Sequence, residues 1–180
     1  MGLMPMHNPI LSVHLDRSDS RRGMAKLADG RSFACALGKG GARADKREGD
    51  GATPLGRFGL RGLFYRPDRE PAPQTGLSRR ALAPEDGWCD DPGAAEYNRM
   101  VRLPCPHRHE RLWREDHVYD LIVVVGYNDA PVTAGRGSAI FLHLAREDYA
   151  PTEGCIAFSR EDLLEILTAL GPESMVVIEA

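Results

Sequence analysis

The sequence lacks any apolar run long enough to cross a membrane as a helix, and it lacks any block of like charge. A membrane helix needs roughly 18 consecutive apolar residues. Binding to nucleic acid or to an anionic membrane surface usually requires a clustered excess of basic residues. The net charge is −3 and is spread along the chain. We therefore expect neither a nucleic acid nor a membrane as a partner.

Cysteine is also scarce, with four residues in 180: Cys35, Cys89, Cys105 and Cys155. Four cysteines are too few for a disulfide scaffold in a chain of this length, so free thiols in a reducing compartment are the simpler interpretation. Residues 1–9 contain neither the basic nor the apolar segment of a secretory signal. We therefore expect a cytoplasmic protein, or a periplasmic one if a leader has been removed.

The sequence contains no internal repeat and no linker-like boundary, and its length fits one domain. Hydrophobic residues make up 42% and charged residues 27%, as in soluble globular proteins. We expect a single domain over residues 1–180, with its core over about 10–180. Neither the composition nor a motif indicates an oligomeric state.

The apolar patterns predict a mostly β fold. Alternating apolar residues over 10–15 and 31–37, with the turn signal Ala28-Asp29-Gly30 between them, predict a hairpin. Residues 119–127 are β-branched and apolar on both faces, which predicts a buried central strand. Further strands are expected at 58–65, 139–144, 154–158 and 175–178, with short strands in the proline-rich stretch 66–106.

One amphipathic helix is expected over about 160–170. Ser159 is a suitable N-cap, and acidic residues follow it in the first turn. The apolar positions recur at helical spacing, and Gly171-Pro172 would end the helix. The apolar face consists of Leu163, Leu164, Ile166, Leu167 and Leu170.

A histidine and a cysteine lie near the ends of two predicted strands. If these strands are neighbours, the two-residue repeat places His143 and Cys155 on one side, over the small residues Ala139 and Ala157. The opposite faces are apolar enough to form core: Ile140, Leu142, Leu144, Ile156 and Phe158. A nearby imidazole is the usual means of producing a reactive thiolate. The pair predicts a Cys/His nucleophilic site, although a buried structural cysteine and an unrelated histidine fit the same pattern.

The sequence around the pair resembles that of the L,D-transpeptidase catalytic-domain family of bacterial cell-wall enzymes. That family has a histidine at a strand end, a loop, and then Ser/Thr-His-Gly-Cys followed by an apolar residue and Asn or Arg. His143 matches the base, Thr152 the Ser/Thr, Gly154 the glycine and Cys155 the nucleophile. The upstream segment 53–56, Thr-Pro-Leu-Gly, also resembles a segment of the family, so the resemblance runs from about residue 30 to the end.

The chain departs from the family pattern in three ways. Glu153 replaces the histidine before Gly-Cys, Ala157 stands where the family usually has Asn or Arg, and Cys155 follows His143 by only twelve positions. The nucleophile and base are retained, whereas polar groups on the acceptor side are changed. These departures therefore bear on substrate preference.

The resemblance implies a β-sandwich or barrel-like domain and a two-step acyl transfer on murein stem tetrapeptides. Cys155 would attack the carbonyl of meso-diaminopimelate and expel D-alanine, with His143 as the base. The backbone N–H groups of Gly154 and Cys155 are candidates for the oxyanion hole. No cofactor is implied. The thioester would be resolved by water, giving an L,D-carboxypeptidase of recycled cytoplasmic muropeptides, or by an amine, giving crosslinks or D-amino acid exchange.

If the enzyme is cytoplasmic, water is the expected acceptor, and Glu153 beside the nucleophile is a candidate for positioning that water. The loss of the family's His and Asn/Arg also leaves open a catalytically silent murein-binding module. For an active enzyme we expect Cys155 to be alkylated at neutral pH faster than the other three thiols.

Several further residues are candidates for binding the substrate. Thr53 belongs to the upstream segment, Lys46 and Arg136 are cations that can bind a carboxylate, and Tyr127 can line a peptide groove. Solvated loop charges explain Lys46 and Arg136 equally well. The Cys-x-His-x-His cluster at 105–109 matches no standard structural zinc pattern, so no metal site is expected.

Overall fold

A computed structural model describes residues 10–180 and contains, within that range, fourteen strands, one α-helix and one short 3₁₀ helix. The expectations concerning residues 1–9 lie outside the described residues. The strands are β1 (Ile10–Leu15), β2 (Arg22–Lys26), β3 (Ser32–Ala36), β4 (Ala42–Arg43), β5 (Thr53–Pro54), β6 (Gly56–Tyr65), β7 (Arg79–Ala81), β8 (Asp86–Cys89), β9 (Met100–Arg102), β10 (His109–Arg111), β11 (Leu121–Val125), β12 (Phe141–Leu144), β13 (Ile156–Phe158) and β14 (Met175–Glu179). The α-helix is α1 (Arg160–Ala169), and the 3₁₀ helix covers Glu147–Tyr149.

Eight strands form a closed sheet in the order β11-β12-β13-β3-β2-β1-β14-β6. The long strand β6 closes the ring, because its first half pairs with β14 and its second half with β11. Strand β7 adds to β6 at the edge. The pairs β1–β14 and β12–β13 are parallel, whereas the other pairings in the ring are antiparallel. The expectation of a mostly β, barrel-like fold with one helix is confirmed.

The two faces of the closed sheet contact different apolar clusters. Alternate residues of β12 and β13 join the main core together with residues of the other barrel strands and the buried side of α1. This core contains all five residues expected from the sequence: Ile140, Leu142, Leu144, Ile156 and Phe158. The opposite face carries Phe141 and Cys155, which join a second cluster with Trp88 and Tyr119.

The proline-rich segment forms an outer layer on this second face. As expected, it contains only short strands, and β8, β9 and β10 pair in a three-stranded sheet. Trp88 and Tyr119 contact Phe141 edge-on, with ring centroids 5.2 and 5.8 Å apart. The site therefore lies between the barrel wall and this outer layer.

Two predictions about strands need correction. The sequence predicted a hairpin of 10–15 with 31–37, joined by the turn at 28–30. In the structure, this turn joins β2 to β3, because β2 lies between β1 and β3 in the sheet and pairs with both. Strand β12 begins at Phe141 rather than Ala139, because Ala139 has φ = 53° and its N–H donates to the Asn98 side chain instead of to a neighbouring strand.

Helix α1 follows the sequence signals closely. The Ser159 hydroxyl accepts a hydrogen bond from the N–H of Asp162 at 3.2 Å, and the helix ends at Ala169, shortly before Gly171. Among residues 10–180, no helix has the length and apolar character needed to cross a membrane.

Candidate active site

His143 and Cys155 lie on the same face of neighbouring parallel strands. In the register of β12 and β13, His143 is opposite Ala157 and Leu142 is opposite Ile156, so Cys155 is two residues out of step with His143. Side chains in this diagonal relation are close enough to interact. Each is only 6% exposed, and both line one cavity of about 520 Å³. The structure thus brings together the two residues that the sequence singled out.

The Cys155 thiol is held by the chain that leads into β12. Its S–H donates to the carbonyl of Ala139 at 3.2 Å, and the N–H of Phe141 donates to Sγ at 3.4 Å. Among the described residues, Sγ forms no hydrogen bond with His143. In the ligand-free state, therefore, the thiol proton is directed to a backbone carbonyl rather than to the imidazole.

The tautomer of His143 follows from its backbone contact. Nδ1 lies 2.9 Å from the carbonyl oxygen of Leu144, which can only accept, so Nδ1 carries the proton. Nε2 of the neutral ring then has the free lone pair. The Tyr119 ring packs edge-on against the imidazole, with centroids 5.3 Å apart, and limits its rotation. The imidazole is therefore held in one orientation, with Nε2 as its proton-accepting nitrogen.

Burial keeps both groups neutral. Desolvation lowers the pKa of His143 to about 4 and raises the pKa of Cys155 to about 12, because it disfavours the charged form of each. The raised pKa of the thiol disfavours the fast alkylation at neutral pH that the sequence led us to expect, since only the thiolate reacts readily.

The turn before Cys155 is fixed by Thr152. Its hydroxyl donates to the carbonyl of Cys155 at 2.7 Å and accepts from the N–H of Gly154 at 3.1 Å. The Gly154 N–H is thus already engaged, whereas the Cys155 N–H has no acceptor among residues 10–180. Of the two groups expected to form an oxyanion hole, only the Cys155 N–H is available in this conformation.

Gly154 is required by backbone geometry. Its φ is +136°, and a Cβ atom at this position would lie 2.7 Å from the carbonyl oxygen of Ala52. Only glycine adopts such a φ readily, and a contact that short with backbone cannot be relieved by a side-chain movement. The glycine therefore allows the turn to pack against the backbone at Ala52.

Thr53, in the upstream segment 53–56, helps to hold the turn before Cys155. Thr53 is fully buried, and its hydroxyl accepts from the N–H of Gly38 at 2.9 Å. The residues next to Gly38 hold Thr152 by two backbone bonds, from Lys39 N–H to Thr152 O and from Thr152 N–H to Leu37 O. Thr53 does not line the cavity. Its contacts position the loop that carries Thr152 and Cys155.

A protein-family model relates the chain to known proteins. The model of the YkuD family, the L,D-transpeptidase catalytic domain, matches residues 13–178. The chain belongs to this family. A comparison with curated protein sequences found no match.

Among solved structures, the chain is similar to L,D-transpeptidase 1 of Mycobacterium tuberculosis, with 13% identity and a TM-score of 0.41 over 94% of this chain. It is also similar to an L,D-transpeptidase from Mycobacterium smegmatis, with 12% identity and a TM-score of 0.45 over 96% of this chain. The chain spans 59% of the length of each of these proteins.

The other expected site residues of this L,D-transpeptidase domain lie in different places. Glu153 lines the cavity at its rim, where its side chain is 78% exposed and pairs with Lys39 at 2.9 Å. Lys46 also lines the cavity but is not a solvated loop charge, since it is buried and pairs with Asp50 at 2.7 Å. Tyr127 and Arg136 do not line this cavity. They meet each other elsewhere, where the Tyr127 hydroxyl donates to the carbonyl of Arg136.

Sequence reasoning missed Asn98 as the support for the thiol. The Asn98 oxygen accepts from the N–H of Ala139 and from the Trp88 indole, both at 3.0 Å. Its amide donates to the carbonyls of Tyr127 and Asn128. These bonds fix Ala139, whose carbonyl accepts from Cys155. No local sequence signal indicates this structural role, because the partners of Asn98 come from distant parts of the chain.

Glu110 and Tyr119 were also missed, although both line the cavity beside Cys155. Glu110 directly follows the 105–109 cluster. In this stretch of the chain, only the Cys and His residues of that cluster were candidates from the sequence. Among residues 10–180, no group of three or more Cys, His, Asp or Glu side chains is arranged to hold a metal ion. In the structure, His109 Nδ1 instead bonds to the carbonyl of His107 at 2.8 Å.

Replacing Gly154 by alanine is expected to destabilise the fold by at least about 2 kcal/mol, because the substitution combines an unfavourable φ with a backbone clash. Denaturant unfolding measures the effect. Gly30→Ala is the matched control for φ alone, since Gly30 has φ = +92° and open space around it, and it should cost less. Equal losses in both variants would show that the Ala52 contact is unimportant.

Proposed function

We propose that this chain is a cysteine-dependent enzyme that cleaves the L,D peptide bond between meso-diaminopimelate and D-alanine in murein stem tetrapeptides. The observation that carries the proposal is the placement of Cys155 and His143 side by side on one cavity in a member of the L,D-transpeptidase family. Both residues are buried, while the cavity beside them is open enough for a ligand.

In the first half-reaction, with the peptide bound, the S–H bond of Cys155 turns from Ala139 O towards His143 and Sγ gives its proton to Nε2 of the imidazole. Sγ then bonds to the carbonyl carbon, and the developing oxyanion accepts from the Cys155 N–H. As the C–N bond breaks, the imidazolium returns the proton to the leaving amine of D-alanine. The products are a Cys155 thioester, neutral His143 and free D-alanine.

We infer that water resolves the thioester, which makes the enzyme an L,D-carboxypeptidase acting on muropeptides, with the cytoplasm as the proposed location. A cavity of about 520 Å³ has the size typical of a site for one small ligand, which suits one stem peptide and water better than two stem peptides. His143 takes a proton from water, the oxygen adds to the carbonyl, the C–S bond breaks, and Sγ receives the proton. A tripeptide leaves.

The test is incubation with a disaccharide-tetrapeptide, with and without an added D-amino acid, followed by mass spectrometry. Release of the tripeptide in both reactions is expected. Exchange of the fourth residue would replace hydrolysis by amine transfer as the second half-reaction. An unchanged tetrapeptide under both conditions would contradict the proposed cleavage and favour a murein-binding module.

A further inference from the structure

Four carboxylates line the cavity, and one of them differs from the rest. Asp90 pairs with Arg108 at 3.0 Å, Glu153 pairs with Lys39, and Glu48 lies 4.0 Å from Arg108. Glu48 also accepts hydrogen bonds from the hydroxyls of Tyr97 and Ser138. Glu110 has no cationic nitrogen within 4 Å in the part of the chain that the structure describes. It is therefore the one of these four carboxylates that forms no ion pair with a described residue, and the cation that favours its charge from a distance, Arg114, is itself paired with Asp116 at 2.6 Å.

One oxygen of Glu110 is held and the other is free. The Tyr119 hydroxyl donates to Oε1 at 2.6 Å. Tyr119 itself is fixed by edge-on contacts with Phe141 and with the imidazole of His143. Oε2 accepts no hydrogen bond from the described residues. The carboxylate is thus orientated by the protein, with one acceptor left for a ligand in the cavity.

The energetics favour a cation at this position. Burial raises the pKa of Glu110, because desolvation makes its charged form costly, while the hydrogen bond from Tyr119 and the charge of Arg114 oppose the shift. A cationic ligand would remove that cost and form a charge-assisted hydrogen bond. A guanidinium prefers both oxygens of a carboxylate, and here Oε1 is taken. A primary ammonium needs only one oxygen and fits better.

We propose that Glu110 binds a primary ammonium group of the substrate beside Cys155, with Tyr119 as its positioning residue. This inference rests on the proposed function and names a recognition element for it. In the proposed substrate, the free amino group belongs to meso-diaminopimelate, the residue whose carbonyl Cys155 attacks. Glu110 would then select a diamino acid at the third position of the stem peptide and anchor it next to the nucleophile.

The test measures binding without turnover, by calorimetry on the full chain carrying Cys155→Ala. The ligands are the stem tetrapeptide with its free diaminopimelate amine and the same peptide acetylated on that amine. Adding Glu110→Gln, which keeps the oxygen that accepts from Tyr119, is expected to weaken binding of the free-amine peptide at least about tenfold. Binding of the acetylated peptide should stay within about twofold.

Glu115→Gln is the matched control, because Glu115 is exposed and lies outside the cavity, and it should change neither affinity. The amine of an acyl acceptor is the other possible source of the ammonium. In that case Glu110→Gln would leave donor binding intact and, with Cys155 present, would reduce transfer to an added D-amino acid relative to hydrolysis. Loss of neither property would overturn the ammonium site. If the Cys155→Ala protein bound neither peptide, the proposed substrate would fail first, and this inference with it.

Discussion

Replacing Cys155 by alanine is expected to abolish thioester formation and to lower the rate of tetrapeptide cleavage by at least about 10³-fold, because the proposed reaction has no other nucleophile. Sγ lies at the cavity wall between the Ala139 carbonyl and the Phe141 N–H. Alanine removes the attacking atom and leaves the backbone in place. Intact-protein mass spectrometry during turnover measures the acyl adduct, and product analysis measures the rate.

Cys105→Ala is the matched control, since Cys105 is partly exposed and does not line the cavity. It should leave both readouts unchanged. Cleavage at an undiminished rate by the Cys155→Ala variant would rule out the thioester route. Slow alkylation of Cys155 by iodoacetamide at pH 7 would not, because burial raises the pKa of the thiol to about 12 and the thiolate is expected only with substrate bound.

Replacing His143 by glutamine is expected to reduce cleavage by about 10²- to 10⁴-fold, because the variant has no base to accept the thiol proton. The glutamine amide can still donate to the Leu144 carbonyl, so the contact that holds the ring has a substitute. The loss should appear in the rate of thioester formation, measured by rapid quench and mass spectrometry. An unaltered rate of acylation would show that another group takes the proton.

The same substitution should change how stability depends on pH. The pKa of His143 is about 4 in the folded protein, against about 6.5 in the unfolded chain, so between these values the unfolded state binds more protons. The free energy of unfolding contributed by neutral His143 is therefore fully present above pH 6.5 and is lost as the pH falls towards 4. The loss is about 3 kcal/mol over the whole window.

Urea unfolding at several pH values between 7 and 4 checks this linkage. His143→Gln should show a shallower fall in stability with acid than the unmodified protein, after the shared contribution of the carboxylates is subtracted. His14→Gln is the control for removing an exposed imidazole, because His14 is half-exposed and does not line the cavity. Parallel curves for the His143 variant and the unmodified protein would contradict the buried neutral imidazole.

The fold shows where local patterns are informative. Strands β11, β12 and β14 carry continuous or alternating apolar residues, and α1 has both a cap and an apolar face, so each was predictable. Strand β2 was missed because, of its five residues, only Ala25 is buried and the others are polar, glycine or partly exposed. Its place in the sheet depends on pairing with β1 and β3, and the local sequence of β2 does not indicate that pairing.

For the site, the sequence alone placed His143 and Cys155 on one face of neighbouring strands, because both lie within one supersecondary unit with a two-residue repeat, and its family resemblance predicted their roles as base and nucleophile. It also contained the glycine that the turn requires.

Only the tertiary structure decided that burial keeps both groups neutral, that Thr152 occupies the Gly154 N–H, and that Thr53 supports the loop instead of lining the cavity. The tertiary structure also decided which distant residues surround and support the thiol. Asn98, Glu110 and Tyr119 come from segments far from Cys155 in the chain, and their contacts exist only once the outer layer has packed against the barrel.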